Sequence, residues 1–309
     1  MSDQEESSTT TMRNEFLVDQ MVALLEQEGR YQCLDYMSPE YREKQIEQIV
    51  RTPLQFVAEC AAIVTDLPLQ KSSSILFHPS PTDVRNPEAI RPSHTDSPPV
   101  PRSSDMDHLS PWRSQMCSWA YTAVDTFGHD RSVVAVAFNY LDRYIATGFL
   151  SHVKITSQHF QLLTMTCVYM AVKIMGLSPK KLSIHSMMDM SRGFFSAHDF
   201  EETELDILDA LDWRLNPPTP SNLCNLLLEF IEDGFELRES CRQRCEEAVM
   251  DNFYVSQMPS DIAFSAVLLS ARQHGYLEST LQSFCQEMAD HTVTSSINFM
   301  NVYLHMEMP

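Results

Sequence analysis

Apolar residues recur at helical spacing along most of the chain, and no stretch shows the strict apolar–polar alternation typical of a half-buried β-strand. The clearest repeats form two groups, separated by the sequence NPPTP at residues 216–220, where the prolines break the helical pattern. The first group predicts five helices, at about 111–127, 131–146, 156–174, 180–189 and 197–213. The second predicts five more, at about 221–232, 236–257, 260–274, 279–288 and 290–306. The pattern therefore predicts an all-α protein built from two tandem five-helix units.

The part of the chain before residue 111 has a more varied pattern. A polar, Ser/Thr-rich start predicts disorder, and residues 14–28 follow with apolar positions at helical spacing up to Gly29. Two short helices are expected at about 39–50 and 54–65. The next stretch is dense in proline and serine, which is typical of a mobile linker or insertion. The predicted organisation is a disordered tail (1–13), an N-terminal helical segment (14–66), a Pro/Ser-rich linker (67–110), a first helical domain (111–216) and a second (217–309).

One charged pair interrupts a long apolar run in the first group. In FNYLDRYIA, Asp142 and Arg143 lie beside a stripe of apolar residues. Neighbours on a helix point about 100° apart, so the two side chains do not pair well with each other. Burying a lone carboxylate is costly. The preceding helix should run antiparallel and bring Arg113 to Asp142, which predicts a structural ion pair. The alternative is an Asp142 exposed to solvent.

Composition and charge exclude several classes of protein. The formal net charge is −20, whereas a nucleic-acid-binding surface is basic, so no nucleic-acid partner is expected. No stretch approaches the ~20 apolar residues of a membrane span, and the first residues lack the apolar core of a signal peptide. We therefore expect an intracellular protein with reduced thiols, present in nucleus and cytoplasm, although Lys180 and Lys181 alone do not make an import signal.

The sequence shows no pattern for catalysis or metal binding. Cys241 and Cys245 are four residues apart, and His152 and His159 flank a turn, but neither set completes a four-ligand zinc site. The cysteines are better interpreted as small buried apolar residues. No glycine-rich phosphate loop is present. We expect neither an enzyme nor a bound metal or cofactor.

Several sites of modification are candidates because a serine or threonine precedes a proline, the pattern that proline-directed kinases modify. These are Ser38, Thr52, Ser80, Ser97 and Ser110. Arg51 and Leu54 also match a minimal degradation signal, although the residues around them have a helical pattern.

The order of four segments resembles a known family. WRSQMCSW, SVVAVAFNYLDRYIA, FQLLTMTCVYMAVK and ETELDILDALDWRLNPPTP together resemble a cyclin box over about residues 111–220. MPSDIAFSAVLLSA, at 258–271, is weakly similar to the second helical repeat of cyclins. Residues 18–41 are faintly similar to the segment before the box in D-type cyclins.

The resemblance implies two tandem cyclin-like folds and a regulatory subunit that binds and activates a cyclin-dependent serine/threonine protein kinase, in cell-cycle control. It implies that Lys173 and Glu204 hold the mobile helix of the kinase. Met175 and Gly176 stand where cyclins usually carry acids, which leaves the choice of kinase open. The alternative is a cyclin-fold adaptor or transcription-related scaffold with no kinase partner.

The resemblance also implies a docking patch for Arg-x-Leu peptides of substrates or inhibitors. Its residues would be Trp112, Gln115, Met116, Trp119 and Gln161. Thr122 replaces the acid that would contact the peptide's arginine, so docking is expected to be weak or altered. The alternative is that Met116 and Trp119 belong to the core.

Overall fold

The computed structural model describes residues 2–33, 109–147, 155–176, 182–290 and 299–308. Every regular element within these ranges is a helix. The α-helices are α1 (Ser2–Glu28), α2 (Leu109–Phe127), α3 (Ser132–Ala146), α4 (Ser157–Met175), α5 (Ile184–Met190), α6 (Ala197–Ala210), α7 (Pro220–Leu227), α8 (Arg238–Met250), α9 (Pro259–Gln273), α10 (Glu278–Asp290) and α11 (Met300–Glu307). Short 3-10 helices occupy Leu228–Phe230, Gly234–Leu237 and Asn252–Ser256. No helix among the described residues is long and apolar enough to cross a membrane.

Helices α2–α6 form the first unit, and α7–α11 form the second. In the first unit, α3 and α4 pack together at the centre of one apolar core, and α2, α5 and α6 surround them. In the second, α9 is central: every residue from Ser260 to Ala271 is buried. A helix that is apolar on all sides needs neighbours on all sides, and α7, α8 and α11 supply them. The prediction of two tandem five-helix units is confirmed.

Side-chain caps explain where several helices begin. At each of four starts a serine or threonine accepts a hydrogen bond from a backbone N–H three residues later, which satisfies a donor that the helix cannot. These cap residues are Thr156, Ser183, Ser196 and Thr219. Gly128 and Gly193 lie just after helices and have φ of +66° and +70°, a conformation that glycine adopts without a steric penalty.

Several boundaries differ from the prediction. Helix α5 begins at Ile184 rather than at about 180, and α7 ends at Leu227 rather than at about 232. Helix α6 ends at Ala210 because Asp212 and Trp213 take left-handed conformations, with φ of +50° and +59°. The helix expected over 236–257 is divided after Met250, where the Asp251 side chain accepts a hydrogen bond from the Phe253 backbone and starts a 3-10 helix. The helix expected from residue 111 begins at Leu109.

Helix α1 begins at Ser2 rather than at residue 14, so residues predicted as a disordered tail are helical. The first 28 residues contain neither glycine nor proline, so nothing interrupts the helix before Gly29. The C-terminal half of α1 packs on the second unit through the buried Met21. The helices expected at 39–50 and 54–65, and the linker up to residue 108, lie outside the described residues.

Glu28 links the end of α1 to the start of α9 through hydrogen bonds. Its buried carboxylate accepts hydrogen bonds from the backbone N of Ser260 (3.0 Å) and from its Oγ (2.7 Å). Both donors lie at the N-terminus of α9, where a carboxylate is favoured. Burial nevertheless outweighs these bonds and raises the pKa of Glu28 from its ordinary 4.5 to about 7.

This raised pKa predicts a pH-dependent stability. The folded chain keeps the Glu28 proton to higher pH than the unfolded chain, so the free energy of unfolding falls as the pH rises from 4.5 to about 7. Glu28→Gln cannot ionise and is expected to remove this slope, which amounts to at most about 1.4 kcal/mol per pH unit. Urea unfolding of both proteins between pH 4.5 and 8 measures it. Parallel pH profiles would show that Glu28 does not titrate as described.

Candidate protein-binding surface

The C-terminal end of α4 and the middle of α6 bring Lys173 and Glu204 together. Lys173 lies in the last turn of α4, where a cation interacts well with the unsatisfied carbonyls. A reciprocal capping box between Ser196 and Asp199 fixes the start of α6, and α6 then packs along α4. The Lys173 Nζ contacts the Glu204 Oε1 directly. The same ammonium lies 4.5 Å from the centroid of the Tyr169 ring, in a cation–π contact.

The pair stays accessible: the Lys173 side chain is 39% exposed and that of Glu204 is 21% exposed. Each is followed by an apolar residue that faces solvent, Ile174 at 46% exposed and Leu205 at 59%. We call the five residues Tyr169, Lys173, Ile174, Glu204 and Leu205 the 173/204 surface. Exposed apolar side chains around a charged pair are typical of protein-binding sites.

The exposed side of α6 is acidic on both sides of Leu205. Glu201 and Glu202 precede Leu205 by one turn, and Asp209 follows it by one turn; all three are exposed. Residues three and four apart share a helix face. The 173/204 surface is therefore bordered by negative charge, which favours a partner with basic side chains.

The residues of the predicted docking patch lie along α2 and at the start of α4. Trp112, Met116 and Trp119 are half-buried and pack against the first core, while Gln115 is exposed. The Trp112 ring lies 6.2 Å from the ring of Phe160, which immediately precedes the half-buried Gln161. The tryptophans and Met116 thus contribute to the core and still present part of their surface to solvent. The exposed Thr122 hydroxyl donates to the backbone carbonyl of Ser118 at 3.0 Å.

Arg113 and Asp142 meet in the buried ion pair that the antiparallel helices predict. The Arg113 Nε and Nη2 donate to the two Asp142 oxygens at 3.0 and 2.8 Å, and the side chains are 3% and 6% exposed. This two-point geometry makes the strongest form of such a pair. The Arg113 Nη1 also donates to the backbone carbonyl of Val249 at 2.7 Å. Because Val249 lies on α8, the pair links the two units as well as α2 and α3.

Sequence reasoning gave Arg143 no partner, and the structure gives it several. Its guanidinium donates to the backbone carbonyls of Arg214 at 2.9 Å and Leu211 at 3.4 Å, just beyond the end of α6. It also lies over the Tyr31 ring, 5.0 Å from the centroid. The charged pair in FNYLDRYIA is therefore divided, with Asp142 directed to α2 and Arg143 to the segment after α6. No sequence motif indicates these carbonyl partners.

Ser110 is the one predicted modification site within the described residues, since residues 38, 52, 80 and 97 lie outside them. It lies in the first turn of α2, half-buried, and its Oγ accepts a hydrogen bond from the Asn252 side chain of the second unit. Its phosphorylation would require this contact to break.

The described part of the chain contains no candidate metal site. No group of three His, Cys, Asp or Glu side chains there could hold a metal ion. Cys241 and Cys245 are buried in the core of the second unit, as the sequence predicted for small apolar residues.

Comparison with known proteins finds similarity to one family over the first unit. The model of the cyclin N-terminal domain matches residues 86–216. Cyclin-D1-2 of Oryza sativa subsp. japonica is 28% identical over 166 residues, which are 52% of this chain and 46% of that protein. Cyclin-D2-2 of the same organism is 25% identical over 170 residues, 54% of this chain and 47% of that protein. The chain spans about half the length of the curated relatives it matches.

A viral cyclin from herpesvirus saimiri, solved by X-ray crystallography, superposes with a TM-score of 0.46 at 21% identity, covering 62% of this chain and 85% of that one. The match to the cyclin N-terminal domain includes the five-helix unit α2–α6, so this unit is similar to a cyclin N-terminal domain. The second five-helix unit follows it in tandem.

Proposed function

We propose that this chain is the regulatory subunit of a cyclin-dependent serine/threonine protein kinase, which it binds and activates in cell-cycle control. The 173/204 surface is the observation that carries the proposal. It combines the accessible Lys173 ammonium, a hydrogen-bond donor, and the Glu204 carboxylate, an acceptor, with two exposed apolar side chains. The helices that carry these residues pack on the first core. The chain itself performs no chemistry in this role.

The geometry supports a specific way of binding a helix. The Lys173 ammonium and the Glu204 carboxylate already pair with each other, so a partner does not have to desolvate two isolated charges. The partner helix packs apolar side chains on Ile174 and Leu205 and offers hydrogen-bonding groups to the paired heads. Basic residues on the partner complement the acidic border of α6.

Activation follows if the kinase presents that helix correctly only in its active conformation. A ligand that binds one conformation better shifts the population towards it by the difference in affinity. In a protein kinase, the position of the mobile helix controls the internal lysine–glutamate pair and the ordering of the activation segment. A preformed helical surface is suited to this task because it loses little conformational entropy on binding.

Co-purification of the full-length chain tests the proposal and separates it from an adaptor without a kinase. Mass spectrometry of the recovered proteins is expected to identify a cyclin-dependent kinase, and the complex is expected to phosphorylate a histone-type substrate. Recovery of partners without any protein kinase activity would support the adaptor and overturn the proposal.

We propose further that the patch of Trp112, Gln115, Met116, Trp119 and Gln161 docks Arg-x-Leu peptides mainly through their leucine. Thr122 offers no charge to the peptide's arginine. Replacing the leucine of a docking peptide by alanine is therefore expected to weaken binding by about 2 kcal/mol, the scale of a buried leucine side chain. Replacing the arginine should have a much smaller effect.

Fluorescence titration of the labelled peptide measures both changes. Met116→Ala is expected to weaken binding of the intact peptide, whereas Gln273→Ala, an exposed site on α9 in the second unit, should leave it unchanged. A larger loss from the arginine change than from the leucine change would contradict the assignment.

A further inference from the structure

Three buried cysteines meet in the second unit, outside the surfaces described above. Cys224 comes from α7, and Cys241 and Cys245 come from successive turns of α8. The Sγ atoms of Cys224 and Cys245 are 3.5 Å apart. The Cys224 thiol lies 3.5 Å from the Ala263 carbonyl, and the Cys241 thiol lies 3.8 Å from that of Ala266. All three are free thiols.

Two of these thiols line a cleft between the two units. The cleft has a volume of about 620 Å³, and its lining includes Cys224 and Cys245 but not Cys241. Its other walls carry Tyr121 from the first unit and the exposed Phe235 from the second. The lining also carries charged side chains, among them Arg131, Glu239 and Arg242. Both cysteines are almost completely buried, so only a small molecule could reach this pair of thiols from the cleft.

The surroundings assign different roles to the two thiols. Hydrogen bonds with Cys241 and Cys245, together with burial, raise the pKa of Cys224 well above its ordinary value of 9.0. Cys224 therefore keeps its proton, so we assign the first attack on an incoming molecule to Cys245, the other thiol that lines the cleft. Hydrogen bonding from Cys224 lowers the pKa of Cys241, but Cys241 does not line the cleft.

We propose that Cys224 and Cys245 are a redox-active dithiol that a hydroperoxide entering the cleft converts into an intramolecular disulfide. The Cys245 sulfur attacks the peroxide, so an S–O bond forms, the O–O bond breaks, and the departing oxygen leaves as water or alcohol with the thiol proton. Cys224 then attacks the Cys245 sulfur; the S–S bond forms, the S–O bond breaks, and the hydroxyl leaves as water with the Cys224 proton. The two thiols lose two electrons, and the peroxide gains them.

The geometry requires only a small adjustment. The two sulfurs must approach from 3.5 Å to about 2.05 Å, within one packed layer of α7 and α8. The new bond would enclose the segment between the two cysteines, which contains both 3-10 helices Leu228–Phe230 and Gly234–Leu237. Closing that loop restrains the unfolded chain, so the oxidised protein should resist unfolding better than the reduced one.

Peptide mapping of the full-length chain tests the pairing directly. The reduced protein is treated with hydrogen peroxide, its remaining thiols are alkylated, and it is digested with trypsin without reductant. Cleavage after Arg238, Arg242 and Arg244 puts the three cysteines on three different peptides, so mass spectrometry identifies the linked pair without ambiguity. The expected product joins the peptides of Cys224 and Cys245, two hydrogens lighter than their sum, and disappears on reduction.

Two controls make the outcome decisive. Cys241→Ala keeps both cleft-lining thiols and should still form the linked peptide. Cys285 is buried in the same core but does not line the cleft, so it should remain alkylated as a free thiol. A link between Cys224 and Cys241 would overturn the proposal. So would oxidation of Cys245 to sulfinic acid without any link, or the absence of reaction at all three thiols after prolonged treatment.

Discussion

Replacing Asp142 by alanine is expected to lower the free energy of unfolding by about 3–5 kcal/mol, the cost of leaving one member of a buried ion pair uncompensated. The Arg113 guanidinium would lose both carboxylate contacts in a site where its side chain is 3% exposed. It would keep the Val249 carbonyl, which cannot balance its charge. Denaturant unfolding followed by circular dichroism measures the change.

A second pair provides the matched control. Asp125, on α2, also pairs with an arginine, Arg131, which lies just before α3, but the Asp125 side chain is 49% exposed. Asp125→Ala should therefore cost no more than about 1 kcal/mol. The double variant Arg113→Met/Asp142→Leu should be less destabilised than Asp142→Ala, because it leaves no buried charge unpaired. If Asp142→Ala and Asp125→Ala cost the same, the buried pair does not act as described.

Lys173→Ala and Glu204→Ala are each expected to weaken kinase binding by about 1–3 kcal/mol, provided that the partner helix desolvates both heads. Because the two side chains also pair with each other, the double variant should lose less than the sum of the single losses. Calorimetric titration of the kinase recovered by co-purification gives the three affinities. Unchanged affinity in the double variant would count strongly against the 173/204 surface.

Leu205→Asp separates binding from folding at the same surface. Leu205 is 59% exposed, so the change should leave unfolding unaffected while it places a charge where the partner's apolar side chains pack. Leu277→Asp is the matched control, since Leu277 is a similarly exposed leucine in the second unit. Equal effects of the two substitutions on kinase affinity would remove the special role of Leu205.

The helical architecture could be predicted because the stretches of helical apolar spacing end where prolines and glycines interrupt a helix. Thr219 and Pro220, within the sequence NPPTP, mark the cap and first turn of α7 as their chemistry suggests. The boundaries that differed depend on local conformations with weak sequence signals. Trp213 with a positive φ and the turn at Asp251 are two of them.

The interactions within the surfaces were only partly predictable. The Arg113–Asp142 pair follows from helix direction and the cost of buried charge, so elementary arguments sufficed. Lys173 and Glu204 were selected by resemblance, and their contact with each other depends on how α4 and α6 pack. Cys224 could not be associated with Cys245, because it lies on a separate helix and tertiary packing alone brings the sulfurs together.

The central claim is that this chain switches on a kinase through the 173/204 surface, and an activity titration tests it most directly. Phosphorylation of a protein substrate by the isolated kinase would be followed as the full-length chain is added, with wild type and Leu205→Asp in parallel. The account predicts a saturable rise with wild type, and a curve for Leu205→Asp displaced to higher concentration by about tenfold or more, the equivalent of 1.4 kcal/mol. No rise with the wild-type chain, or two superimposed curves, would contradict it.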